Sequence, residues 1–186
     1  FKKICENLGD RSEAVSRMLD QIGERIVMSP DRPKNDWTTC RPGGMMSHSL
    51  TTFKNMRKIS ESLSIDLPIE SMIIVSLFHN VGKIGSVFGT PLFVDQESDW
   101  HREKLGQMYT YSDDITKMSP PHRSLQILQH FGVTLTEEEW IAISISSGPG
   151  FEENKFYTGS EPELAVVLQM AVRAAHMTEW VGKTND

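Results

Sequence analysis

The sequence predicts an all-α fold built as a single domain over residues 1–186, and three observations carry that expectation. Apolar residues recur at spacings of three, four and seven along much of the chain. Two stretches, Met72–Phe78 and Leu164–Trp180, are apolar on nearly every side, as helices at the centre of a bundle are. Clusters of turn-forming residues separate the periodic stretches, and 186 residues suffice for one sizeable core but not for two.

Ile4, Leu8, Val15, Met18, Leu19, Ile22 and Ile26 keep helical spacing with a break only at Gly9-Asp10, which predicts a helix over 11–27. Turn formers in Ser29-Pro30-Asp31-Arg32-Pro33-Lys34-Asn35-Asp36 and Arg41-Pro42-Gly43-Gly44 make 29–44 a loop. Met45, Met46, Leu50, Phe53, Met56, Ile59 and Leu63 mark a second helix over 45–64. Pro68 opens a third, which ends at Gly82. Residues 84–119 show no sustained periodicity, and a connection this long is a lid or a binding segment, with one short hairpin expected near Phe88 to Val94. Pro120-Pro121 opens a fourth helix through Leu125, Ile127, Leu128 and Phe131. Thr136-Glu137-Glu138-Glu139 is a capped, acidic start for a fifth, reaching about Ser146. The apolar run from Leu164 to Trp180 is the last helix.

Charge and composition bound the function. A net charge of -6 leaves no global positive field for nucleic acid or an anionic membrane, so any phosphate binding is local. Cys5 and Cys40 are too few for a disulfide framework and lack the paired spacing of a zinc site, as expected of reduced thiols in the cytosol. No stretch approaches the roughly 20 apolar residues that cross a bilayer, and Phe1-Lys2-Lys3-Ile4-Cys5-Glu6 lacks the shape of a signal peptide. A cytoplasmic location without membrane contact is the expectation.

The most informative string is Leu77-Phe78-His79-Asn80-Val81-Gly82-Lys83, about thirty residues after Gly43-Gly44-Met45-Met46-Ser47-His48-Ser49-Leu50. A glycine-rich turn, a helix carrying a His, and a later His-Asp-x-Gly-Lys-like string at a helix end resemble the HD-domain metal-dependent phosphohydrolases, over roughly residues 40–180. The resemblance implies an HD-type helical bundle and a divalent metal, Mn, Ni, Co, Zn or Mg. It implies His48 and His79 as metal ligands, with Lys83 neutralising a substrate phosphate or bracing a carboxylate. His122 falls where some relatives place an additional metal His, although a surface or capping role suits it better. Met45, Met46, Met56, Met72 and Met170 fall on helix stripes that the core requires.

Three positions depart from the family pattern. Asn80 stands where the family has a ligand Asp, and an amide oxygen is a weaker donor to a hard cation. Val172, in Ala171-Val172-Arg173-Ala174, falls at the last-helix ligand position. Ser146-Ser147-Gly148 offers only hydroxyls where many members carry a His. These departures suggest a degenerate metal site holding too few negative oxygens to retain an ion, possessed by a protein that binds a nucleotide or another phosphorylated ligand with weak or no hydrolysis.

Alternatives stay open. A working hydrolase would use His48 and His79 with help from Asn80 or His122. Arg102, Lys104, Tyr109 and Tyr111 mix basic and aromatic character in the long connection and resemble a ligand-contact segment of phage-type members, able to stack a base and grip a phosphate. A solvated lid anchored by Trp100 fits that segment equally well. A third reading is a non-catalytic scaffold whose 84–119 face docks a partner such as a second copy. Singly, His48 and His79 also fit core histidines satisfied by neighbours; His101 and His130 fit solvated ones.

Overall fold

The computed structural model describes residues 1–182, and within them helices dominate, as expected. After a short helix, α1 (Lys2–Cys5), the first long one is α2 (Ser12–Met28), whose Ala14, Val15, Met18, Leu19, Ile22 and Ile26 form the buried stripe. It stops at Ser29-Pro30, where proline removes the next amide donor. The second, α3 (Gly44–Leu63), begins after Gly43 in the left-handed region (φ 78) and ends at Ser64 (φ 53).

The third, α4 (Ile69–Phe78), is buried continuously from Ser71 to Phe78 and lies at the centre of the molecule. It stops four residues before the expected Gly82, because the chain tightens into a 3₁₀ turn over Val81–Ile84. The helix α6 (Pro120–His130) packs on that turn. Gly82 makes the close approach possible, since a Cβ there would lie 2.2 Å from the carbonyl oxygen of Pro120. Ser124 ties the two together, its hydroxyl accepting from the Gly82 amide at 2.8 Å and donating to the His79 carbonyl at 2.9 Å.

The fifth expected helix starts as its sequence indicates. Thr136 and Glu139 form a capping box at the start of α7 (Glu137–Ser144). Glu139 is wholly buried and also accepts from Nη1 of Arg11 at 2.8 Å through both oxygens, while Nη2 of Arg11 reaches Glu70 at 3.2 Å. The last helix, α8 (Glu163–Glu179), packs against α3 and α7.

The long connection differs from expectation. Of the hairpin expected near Phe88 to Val94, only the end is a strand, beginning at Phe93; Ser86 to Thr90 is a tight turn. The two strands are β1 (Phe93–Asp95) and β2 (Tyr109–Tyr111), antiparallel with Val94 opposite Thr110, and a helix, α5 (Asp99–Leu105), lies between them. Strands of three residues carry too little alternation to read from sequence, and their pairing depends on the helix that closes the loop between them. Among the described residues no helix is long and apolar enough to cross a membrane.

Candidate metal centre

The centre is assembled by the loop before α3. Pro30 and Pro33 bracket Asp31 and Arg32 and keep that loop from becoming helical. The Asp31 amide donates to the Thr39 carbonyl at 3.0 Å, and the Met45 amide to the Ser29 carbonyl at 3.2 Å, folding the loop back on the first turn of α3. Gly44 permits this, because a Cβ there would meet the Thr39 carbonyl oxygen at 1.8 Å. The same loop grips the end of α8. The Thr38 amide donates to the Glu179 carbonyl and the Val181 amide to the Asp36 carbonyl, both at 2.8 Å.

Asp31 is thereby set beside His48, one turn into α3, and beside His176 and Glu179, which lie three residues apart on one face of α8. Each of these four side chains offers a ligand-type atom, and those atoms all lie within 4.8 Å of one another. Three of the residues are buried and His176 is half-buried.

Hydrogen bonding fixes which nitrogens keep lone pairs. Nδ1 of His48 lies 2.7 Å from Oε2 of Glu179; a carboxylate only accepts, so Nδ1 donates, and Nε2 makes no hydrogen bond among the described residues. His79 donates from Nδ1 to the Ser76 carbonyl at 3.0 Å, which likewise leaves its Nε2 bare. On His176 it is Nε2 that accepts, from Nη2 of Arg32 at 2.6 Å, because a guanidinium only donates. The rings of His48 and His176 stack at 5.0 Å, and those of His48 and His79 lie 5.6 Å apart.

The carboxylates are only half satisfied. Oδ1 of Asp31 accepts from Nδ2 of Asn80 at 2.8 Å and from the Lys83 ammonium. Oδ2 of Asp31 and Oε1 of Glu179 are buried and have no hydrogen-bond partner among the described residues. A buried carboxylate oxygen without a partner is costly and rare. Oδ2 of Asp31 does have the Nε of Arg32 3.3 Å away as an ion pair; with Oε1 of Glu179 and two imidazoles it makes a donor set suited to Zn, Mn, Ni or Co.

The ionisation states agree with this use. Burial alone would raise the Asp31 carboxyl, but Lys83, His48 and Arg32 outweigh it and hold it well below the usual carboxylate range. Burial, then the nearby His48 and Lys83, push His79 down to about 3. Burial, then Arg32 and His48, push His176 down to about 3. Both rings are therefore neutral at pH 7, and His176 offers its lone pair to an ion only when Arg32 releases Nε2. Lys83 is lowered by burial against the opposing pull of Asp31.

Of the residues expected from sequence, His48 belongs to the four-residue group. His79 adjoins it but stands outside the four. Asn80 is not a ligand; it anchors Asp31 through its amide nitrogen while its oxygen accepts from the Ser49 hydroxyl at 3.0 Å. Lys83 braces a carboxylate, the second of the roles expected for it.

Several expectations need correction. His122 is exposed on the first turn of α6, 2.8 Å from the Ser119 hydroxyl, and does not join the group, because Ser124 occupies the side of α6 that faces His79. Val172 is a core residue, and the ligand-type residues fall one and two turns further along its face, at His176 and Glu179. The shortage of negative oxygens does not hold, since Asp31 and Glu179 supply two carboxylates. Arg102 and Lys104 are exposed on α5, with Arg102 turned toward Asp99 at 3.9 Å. Tyr111 is exposed and Tyr109 half-buried. Their hairpin does reach the site's loop through the backbone, the Met108 and Tyr109 amides donating to the Pro33 carbonyl at 2.9 and 3.1 Å, but no side chain of the four is delivered to the group.

Sequence reasoning missed Asp31, His176 and Glu179. Asp31 sits in a run that reads as turn chemistry, and nothing local distinguishes it. The pair on α8 did carry a signal, a His and a Glu three residues apart on a single helical face.

No family model matches this chain, and comparison with curated proteins and with solved structures likewise gave no match.

Proposed function

We propose that Asp31, His48, His176 and Glu179 hold one divalent metal ion, and that the protein is an HD-type metal-dependent hydrolase acting on a small phosphorylated substrate such as a nucleotide. The observation that carries this reading is the pair of buried carboxylate oxygens without a hydrogen bond among the described residues, Oε1 of Glu179 and Oδ2 of Asp31, the latter met only by an ion-pair contact from Arg32, set beside the imidazoles of His48 and His176. A bound ion would shield phosphoryl oxygens and acidify a water.

The remaining residues suit an anionic substrate. Asp31 and Glu179 carry two negative charges, and Lys83 and Arg32 carry two positive ones, so the group balances without an ion and becomes electropositive with a divalent one. Arg32 is partly exposed beside His176, and a phosphate could meet its fork of donors there. Nε2 of His79, whose ring is oriented by the bond from Nδ1 to the Ser76 carbonyl, could accept a hydrogen bond from a water or hydroxyl, and with a pKa pushed down to about 3 it would not take the proton. Asn80 supports the resemblance to the HD family in an altered form, since the carboxylate comes from the loop at Asp31 and the amide at the helix end holds it in place.

A second reading rests on the same charge balance. With Lys83 on Asp31 and Arg32 on His176, the group also works as a closed ion-pair cluster in a protein that binds phosphate compounds without cleaving them. Phosphate release from a nucleotide panel by Mn-, Ni- or Zn-loaded protein separates the two. Turnover that disappears in His48→Ala supports hydrolysis. Ligand-induced stabilisation without turnover supports the second reading.

A further inference from the structure

A cleft of about 630 Å³ opens beside the first turn of α6 and shares no residue with the four-residue group; Leu92, Tyr111, Ile115 and Met118 are among its walls and Lys117 and Arg123 are its cations. Its volume is in the range of small-molecule sites, which are mostly apolar with a few placed polar groups.

Arg123 is the unusual feature. It is 3% exposed, yet among the described residues it forms no ion pair. Its side chain has a single hydrogen bond, from Nη2 to the Thr116 carbonyl, and its buried Nε has no partner. A guanidinium cannot shed its charge inside a protein, and an unpaired buried charge is strongly disfavoured. Lys117, also on the cleft, pairs with no carboxylate among the described residues, and Asp113 at the wall leaves both cations alone. The cleft thus joins an apolar wall to a buried cation short of acceptors.

We infer that this cleft binds a small molecule with an apolar, ring-sized body and one anionic head, the head meeting Arg123 and Lys117 and the body lying against Leu92, Ile115 and Met118. None of its residues belongs to the proposed metal group.

Calorimetric titration of the chelator-treated protein with 2-naphthoate and with 2-naphthalenemethanol tests the inference, since the two share a body and differ in charge. Naphthoate is expected to bind at least tenfold more tightly, and that preference is expected to vanish in Arg123→Met and to survive in part in Arg123→Lys. Because a variant of a buried arginine can fail to fold, Lys117→Ala and Tyr111→Ala, both at exposed positions, are measured alongside; each is expected to weaken naphthoate binding severalfold. Equal affinity for the two probes, no binding of either at millimolar concentration, or naphthoate binding unchanged in both surface variants would overturn the assignment.

Discussion

Nη2 of Arg32 lies 2.6 Å from Nε2 of His176, so a lone pair suited to a metal ion is held by a guanidinium. Arg32 also sits over the Trp37 ring at 4.5 Å and places its Nε 3.3 Å from Oδ2 of Asp31. It thus engages two of the four ligand-type residues, as an internal cation would.

Arg32→Ala should therefore tighten metal binding. Removing a like charge next to the ion is worth several kcal/mol at most in a partly screened site, and about tenfold, or about 1.4 kcal/mol, is the expected gain for a partly exposed arginine. Losing the contact with Trp37 should cost about 0.5–1 kcal/mol of stability. Zn titration by calorimetry, with urea unfolding alongside, reads both. Weaker Zn binding in Arg32→Ala would show that Arg32 supports the ion.

Asn80→Asp should destabilise the chelator-treated protein. The change removes the donor to Oδ1 of Asp31 and sets a second carboxylate next to it, an effect of about 1–3 kcal/mol. Zn should restore the variant by more than it stabilises the parent. Urea midpoints with and without Zn test this, and an equally stable metal-free variant would contradict it.

Acid should destabilise the metal-free fold before the carboxylates of an unfolded chain titrate. His79 and His176 have folded pKa values of about 3, below the ordinary 6.5, so below pH 6.5 the unfolded chain takes up protons that the fold refuses. Stability is full above 6.5 and falls as pH drops toward 3. Asp31, also depressed, adds to the loss below about pH 4. In His79→Gln the decline between pH 6.5 and 5 should be shallower; an unchanged slope in urea midpoints would show that His79 is not held neutral.

Arg11→Met should leave the wholly buried Glu139 carboxylate with only its own capping contacts. Breaking a buried pair from one side costs about 3–5 kcal/mol. The double variant Arg11→Met with Glu139→Gln should recover much of that, because the stranded charge is gone. A loss under about 1 kcal/mol, in the range of exposed pairs, would contradict the role given to this contact.

The helices were legible because their signals are local. The stripe of α2, the burial of α4 and the capping box of α7 are each written within a few residues. The site was legible only in part. His48 and His79 were found through a motif, whereas Asp31 becomes a site residue only when Gly44 lets the loop close on α3, a contact between backbones that leaves no side-chain pattern. His176 was overlooked in favour of Val172 because both lie on one helical face, and only the clip from Thr38 and Asp36 to the end of α8 selects the later turns. The start of β1 fell within the hairpin expected near Phe88 to Val94, but its partner β2 was out of reach because the pairing spans α5.

The central claim is that Asp31, His48, His176 and Glu179 hold one divalent ion together. Metal content by mass spectrometry, after the chelator-treated protein is reloaded with Zn, Ni or Mn and gel-filtered, tests it most directly. One ion per chain in the parent, lost from both His176→Ala and Glu179→Gln variants that still fold, is the predicted result. No retained ion in the parent, or equal retention in those two variants, would contradict it.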